Sequence, residues 1–340
     1  MCKCLHAIKE RIPCDHEKNI PLLLFATLLI VALIGCTQAE DIPYPAKDAN
    51  PASDFEYRKT DDGNGILIEK YIGADETVVI PKKIDGLPVT VIGHASFIGS
   101  DITSLIMPDS ITDIYTYAIA DCIKLTEVRL SRNLQIVGEC SFGNCPSLTQ
   151  MDLSMTSLTH IYNEAFEGCT SLQQVTFGDN IEFIGVEAFQ ECTSLREAIL
   201  PKNLREVGDY AFALCTAMQK IHIPKGLEVW GTYAFAGDSS VTEIIFEDGL
   251  KTIGDPKHLG CFSDCPVESV TIPAEVEYIN ANAFLKFPNL KEVTFKGDAP
   301  EVCEDAFVSL TQMIIYYDPT AQGWDTTALR TQHELIPLTP

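Results

Sequence analysis

The chain has 340 residues, 24 basic and 48 acidic side chains, and a net charge of −24 at pH 7. With 46% apolar residues it can bury a large core, which excludes a disordered polymer. The carboxylate excess argues against nucleic acid as a partner, because phosphates are repelled, and against a polybasic grip on anionic lipid.

Residues 1–19 carry Lys3, Lys9, Arg11 and Lys18 among Glu10, Asp15 and Glu17, and residues 20–34 follow without a charge. A buried core helix or a plain anchor helix could look like this. The run is shorter than the ~20 apolar residues of a membrane span, and a basic start before a short apolar run describes a secretory signal. Its end, Leu33-Ile34-Gly35-Cys36, resembles the lipobox of bacterial lipoproteins. That resemblance implies that residues 1–35 are a signal peptide and that Cys36 is the lipid attachment site, joining the chain to a membrane. Residues 36–54, with Pro43, Pro45 and Pro51, then form a flexible tether. Glu40 and Asp41 suit a sorting signal to the outer surface, or simply two solvated charges in a linker. The expected location is the cell envelope, as a surface-exposed outer-membrane lipoprotein.

Residues 55–69 alternate around a Gly/Asn/Asp cluster and read as a hairpin, so 55–76 is expected to cap the first coil. Residues 77–312 are one motif repeated. Its copies start at Ile102, Leu125, Leu148, Leu172, Leu195, Met218, Val241, Val267 and Leu290, at intervals of 23, 23, 24, 23, 23, 23, 26 and 23 residues, after a degenerate copy over 77–100. In each, apolar residues at the fourth and sixth positions, such as Ile221 and Ile223, predict a short strand with one buried face. Pro108, Pro201, Pro224 and Pro273 end the strand. A second apolar pair follows at spacing three, as in Leu204/Val207. A glycine then suggests a tight bend (Gly138, Gly185, Gly208, Gly231, Gly254), and an Ala-Phe pair fills the interior.

No unit can bury its apolar face alone, so neighbours must stack. The fold class predicted is a leucine-rich-repeat solenoid: β-rich, with one parallel strand per ~23-residue coil and short turns or 3-10 segments on the other side. Residues 313–340 close it with a strand at 313–317, a short helix at 318–330 carrying Trp324, and a strand at 334–338. The unit L-T-x-I-x-L-P…L-x-x-I-G-x-x-A-F-x-G-C resembles the BspA-like leucine-rich repeat of bacterial surface proteins. The resemblance implies a single curved solenoid with a parallel sheet, and a role in adhesion or in binding host or matrix proteins. Tyr115, Ile119 and Tyr162 depart from the pattern by apolar or aromatic exchanges that leave the fold intact.

Cys2, Cys4 and Cys14 belong to the signal. Cys122, Cys145, Cys169, Cys192, Cys215 and Cys265 occupy one column, three residues after the Phe position. An oxidising compartment raises the question of disulfides. Stacked turns bring Cα atoms ~4.8 Å apart, but parallel side chains leave Cβ separations beyond the usual ~3.8 Å, which favours buried thiols. His258, Cys261 and Cys265 have a spacing that tempts a zinc reading. The repeat register points both cysteines inward and supplies no fourth ligand, so no metal and no cofactor is expected.

Nucleophile-elbow, phosphate-loop and metalloprotease signatures are absent, and no catalytic residue is assigned. Partner contacts are expected on the outward third and fifth strand positions of a concave sheet. The candidates are Ile199, Lys220, His222, Glu243 and Ile245, with Asp152 and Arg129 further along. The competing explanation is strand preference, since β-branched residues suit a pleated surface whether or not anything binds. The loop at 255–260, which carries a three-residue insertion, is a second candidate, or equally a tolerated insertion. The favoured function is a membrane-anchored, non-catalytic adhesion module presenting a rigid solenoid to an extracellular protein or glycan. The alternative is an accessory or hydrolytic component of a surface glycan-processing system, which needs paired carboxylates ~5–10 Å apart. Only Asp152, beside Gln150 and Glu127, hints at such a pair. A purely structural stalk is a third, weaker possibility.

Overall fold

The computed structural model describes residue 44 and residues 49–307, 310 and 313–339. Residues 1–35, expected to be a signal peptide, and Cys36 lie outside the described residues. Strands Phe55–Lys59 and Ile66–Tyr71 form the antiparallel hairpin, and the second pairs in parallel with Leu87–Ile92, so the cap runs directly into the stack. From there the chain winds as a β-solenoid of about 12 turns with almost no helix.

Each turn makes two strands where one was expected. The first has three or four residues, as in Glu197–Ile199 and Lys220–Ile223, and lies in register with its neighbours. The second has two, as in Glu206–Val207 and Val229–Trp230. It forms because the residues before the glycine are extended and stacked, and their amides must find partners. These small strands make the longest ladder, running unbroken from the hairpin to Val229–Trp230, while the first strands form shorter ladders.

The Ala-Phe pair holds the turns together. Rings of Phe142, Phe166, Phe189, Phe212 and Phe235 stack at 5.3, 5.1, 5.0 and 5.2 Å, with planes within 4–8° of parallel, and all five side chains are fully buried. On either side of the pair the backbone enters the left-handed region at non-glycine residues, such as Glu187 and Glu191 (φ +57° and +60°) and Tyr210 and Leu214 (+56° and +63°). The bending is done there. Gly254 takes the left-handed bend expected of the column, at φ +79°, but the other four glycines have a different job. Gly208 and Gly231 have ordinary φ, but a methyl on either would run into the backbone of the preceding turn. Glycine is there to let the turns approach.

The cysteine column consists of free, buried thiols. Cys122, Cys145, Cys169, Cys192, Cys215 and Cys265 each donate to a main-chain carbonyl of the preceding turn, at 3.1–3.4 Å. Asp238 interrupts the column. It is fully buried, and its Oδ1 accepts from the Cys215 amide at 2.8 Å, while Oδ2 has no partner among the described residues. Burial pushes its carboxyl well above the ordinary 3.8, with the Cys215 amide opposing. The unfolded chain loses this proton near pH 4 and the folded chain keeps it, so stability falls as pH rises from there toward the folded value. Asp238→Asn is expected to raise stability at pH 7.5 by on the order of 1–3 kcal/mol and to flatten its pH dependence. Thermal melts from pH 4 to 8 check this, and a variant less stable than wild type at pH 7.5 would contradict it.

The two ends differ from expectation in detail. Asn50 is already part of the fold: its amide donates to the Val79 carbonyl, its Oδ1 accepts from the Val79 amide, and its Nδ2 reaches Asp54 and Asp75. At the other end, Ile314–Tyr317 and Glu334–Pro337 are parallel strands, but 318–330 is turns leading into a 3-10 helix, Ala328–Thr331, in place of the expected helix. Asp318 bonds the Thr320 amide and hydroxyl, and Gly323 is left-handed at φ +83°. Both stop a helical path. Trp324 is held against Tyr317 and Phe295, each at 5.0 Å, and donates to the Gly297 carbonyl.

Candidate functional site

Three adjacent first strands, Glu197–Ile199, Lys220–Ile223 and Glu243–Phe246, place the predicted residues in two parallel rows. Glu197 faces Lys220 and Lys220 faces Glu243; Ile199 faces His222 and His222 faces Ile245. Alternation puts Ala198, Ile221 and Ile244 in the core and turns both rows outward. Ile199 is 57% exposed, the most exposed apolar side chain of the three strands, while His222 and Ile245 are half-buried.

Lys220 and Glu243 are coupled across strands, and His222 approaches Glu197 without a hydrogen bond between them. Lys220 Nζ lies 2.8 Å from Glu243 Oε2, and His222 Nε2 lies 3.2 Å from Glu197 Oε1. The hydrogen bond to Glu243 raises the Lys220 ammonium above its ordinary value. In solvent such pairs add little stability but fix the side chains in place. The result is a short apolar strip beside a charged strip of alternating sign, chemistry suited to non-covalent recognition.

The other two candidates do not join it. Asp152 belongs to a separate two-stranded ladder with Gln174–Thr176, and its Oδ1 accepts from the Ser154 amide at 2.9 Å, closing a turn. Arg129, expected to face a partner, is buried at 7% exposure. Its Nη1 donates to the Met107 carbonyl at 2.6 Å and to Asp109 Oδ1 at 3.1 Å. Tyr44 covers the same place, with its ring 5.9 Å from the Arg129 guanidinium and 4.7 Å from Lys82 Nζ, and its hydroxyl donating to the Ile80 carbonyl. Tyr44, expected to belong to a flexible tether, therefore occupies the face that Arg129 was expected to offer.

In the insertion, His258 Nδ1 lies 3.3 Å from Asp255 and Nε2 lies 3.9 Å from Asp209. Cys261 and Cys265 are buried, and burial pushes both thiols up. Two features escaped the sequence reading. Glu164, Glu167, Glu187 and Glu191 crowd the bend side of adjacent turns, and burial followed by these like charges pushes the Glu167 carboxyl up to about 7. Beside them Tyr210 and Tyr233 lie 5.7 Å apart. The signal was available: the bend segments 138–145, 162–169, 185–192, 208–215 and 231–238 contain acids but no lysine or arginine.

A parallel-stranded solenoid with a repeating apolar column and an outward-facing strand row is a leucine-rich-repeat scaffold. The family model for the BspA type leucine rich repeat region matches residues 90–218, 159–258 and 207–318, and the chain belongs to that family. Among solved structures it is similar to a leucine-rich-repeat protein of T. pallidum, at 27% identity over 64% of this chain and 89% of that one, TM-score 0.47. It is also similar to a leucine-rich cell surface protein of Faecalibacterium prausnitzii, at 18% identity over 87% and 96%, TM-score 0.35. A leucine-rich-repeat protein of Bacteroides ovatus is similar at 18% identity over 84% and 98%, TM-score 0.38. No curated protein matches the chain.

Proposed function

We propose that the protein is a non-catalytic binding module displayed on the cell surface, held to the outer membrane by a lipid on Cys36. Through the outward face of its first strands it engages an extracellular protein or glycan. The observation that carries this reading is the Ile199–His222–Ile245 row, in register and flanked by paired charges. Family membership supports it, because stacked repeats present extended rigid surfaces. The face is polar around a small apolar strip; the carboxylate at 243 is paired with Lys220, and the one at 197 lies 3.2 Å from His222 Nε2 without a hydrogen bond. That arrangement serves docking better than proton transfer.

The test has two steps. Residues 37–340 are used to capture a partner from host extracellular proteins and cell-wall glycans. That partner is then titrated against wild type and against Ile199→Asp combined with Ile245→Asp. Affinity is expected to fall at least about tenfold, roughly 1.4 kcal/mol, with the melting temperature little changed. Unchanged affinity would remove the face from the account. The anchor is tested separately: Cys36→Ser is expected to move the full chain from the membrane fraction to the soluble fraction and to abolish labelling by radioactive palmitate. Persistent labelling would refute the anchor at Cys36.

A further inference from the structure

Successive turns are joined along three backbone tracks: the first-strand ladder, the second-strand ladder, and amide bonds across the Ala-Phe bends. Between the turns starting at Leu195 and Met218 all three are present, the bend bonds being Tyr210, Phe212 and Leu214 donating to Thr232, Ala234 and Ala236. Where the first-strand ladder lapses between Arg129 and Asp152, or between Thr176 and Ile199, the other two tracks continue. Where the second-strand ladder ends at Val229–Trp230, the first-strand ladder and the bend bonds from Tyr233, Phe235 and Gly237 carry across.

One interface lacks the first-strand ladder and keeps only part of the bend track. Between residues 241–266 and 267–289 the first-strand ladder stops at Glu243–Phe246 and restarts at Ser269–Ile272. The bend keeps one backbone bond, Asp264 to the Lys286 carbonyl at 2.8 Å, one residue beyond the register of Glu191 to Ala213. Among the described residues, the pairing of Thr252–Ile253 with Tyr278–Ile279 is the one ladder that crosses; further links run through side chains, from Ser263 Oγ to the Leu285 carbonyl, Asn280 Nδ2 to the Gly254 carbonyl, the Gly249 amide to Glu275 and Lys251 to Glu277. The aromatic column fails at the same place. Phe235 and Phe262 still stack at 5.5 Å, but Phe287 stands edge-on to both Phe262 and Phe284, at 6.0 and 5.5 Å. Parallel stacking resumes with Phe284 and Phe307 at 4.9 Å. The cause is legible: Phe287 occupies the column that cysteine fills elsewhere, and the turn before it is the 26-residue one. A ring thus stands in a thiol-sized place, next to an insertion, where the ladder pairing lapses.

We infer that this interface is a built-in break in cooperativity, so that residues 267–339 open as one block while residues 49–266 stay folded. In a stack held by nearest-neighbour contacts, opening starts at the weakest junction. Ile245 lies in the last turn before the break, so opening leaves the Ile199–His222–Ile245 row assembled.

Native-state hydrogen exchange on residues 37–340 tests this. Amides in 267–307 are expected to exchange together, at least about tenfold faster than those in 195–250, with a step near residue 266. Protection that is uniform, or that declines smoothly from the C-terminal end, would overturn the inference. Phe284→Leu sharpens the test. It is expected to speed exchange throughout 267–307 and leave 195–250 unchanged, whereas equal acceleration in both stretches would show one cooperative unit.

Discussion

Phe212→Ala is expected to destabilise the protein by about 3–5 kcal/mol, among the largest losses available to one substitution. The ring is fully buried and stacks on Phe189 at 5.0 Å and Phe235 at 5.2 Å. Phe177 also meets it edge-on at 6.5 Å. Truncation leaves a void between two planar neighbours whose spacing is set by backbone ladders, so neither can collapse into it. The cost therefore includes lost transfer energy, an unfilled cavity, and two stacking contacts. Urea denaturation followed by circular dichroism measures it. A loss below about 1 kcal/mol would mean that the column does not carry the core.

Gly231→Ala is the second large effect, and its origin is steric. The added methyl would fall inside the van der Waals shell of the Gly208 carbonyl and 2.5 Å from the Asp209 nitrogen. Both are backbone, so no side chain can swing away. Relief requires parting the two turns, which stretches the pairing of Val207 with Trp230 and the bond from the Gly231 amide to the Val207 carbonyl. A loss of about 2–4 kcal/mol is expected. Gly226→Ala is the control. Its methyl would meet nothing closer than the Leu204 carbonyl at 3.4 Å, and its effect should stay within about 0.5 kcal/mol. Equal losses from both substitutions would show that coil-to-coil approach is not what the Gly231 column provides.

Features that repeat within a single turn were readable from residue order. The Phe and Cys columns, the buried fourth and sixth positions, and the Ile199–His222–Ile245 row all follow from one period and one alternation. Features that depend on a second segment were not. Arg129 has the position of an outward residue, yet Asp109 and the Met107 carbonyl from the preceding turn bind its guanidinium and Tyr44 covers it. The column glycines looked like bend residues because the approach of the neighbouring backbone is visible only when turns are stacked. Trp324 had the look of a helix residue, but its indole is claimed by Gly297, Phe295 and Tyr317. Phe287 and Asp238 lay in plain view as departures from the cysteine column. Their consequences depended on which neighbours surround them.

Stacking of equivalent side chains in successive turns underlies both the core and the outward Ile199–His222–Ile245 row. A double-mutant cycle tests it most directly. Phe189→Leu with Phe212→Leu should show a coupling of about 0.5–1.5 kcal/mol, because their rings are in contact. Phe142→Leu with Phe235→Leu, several turns apart, should be additive within about 0.5 kcal/mol. Additive losses at 189 and 212 would contradict the stacked register.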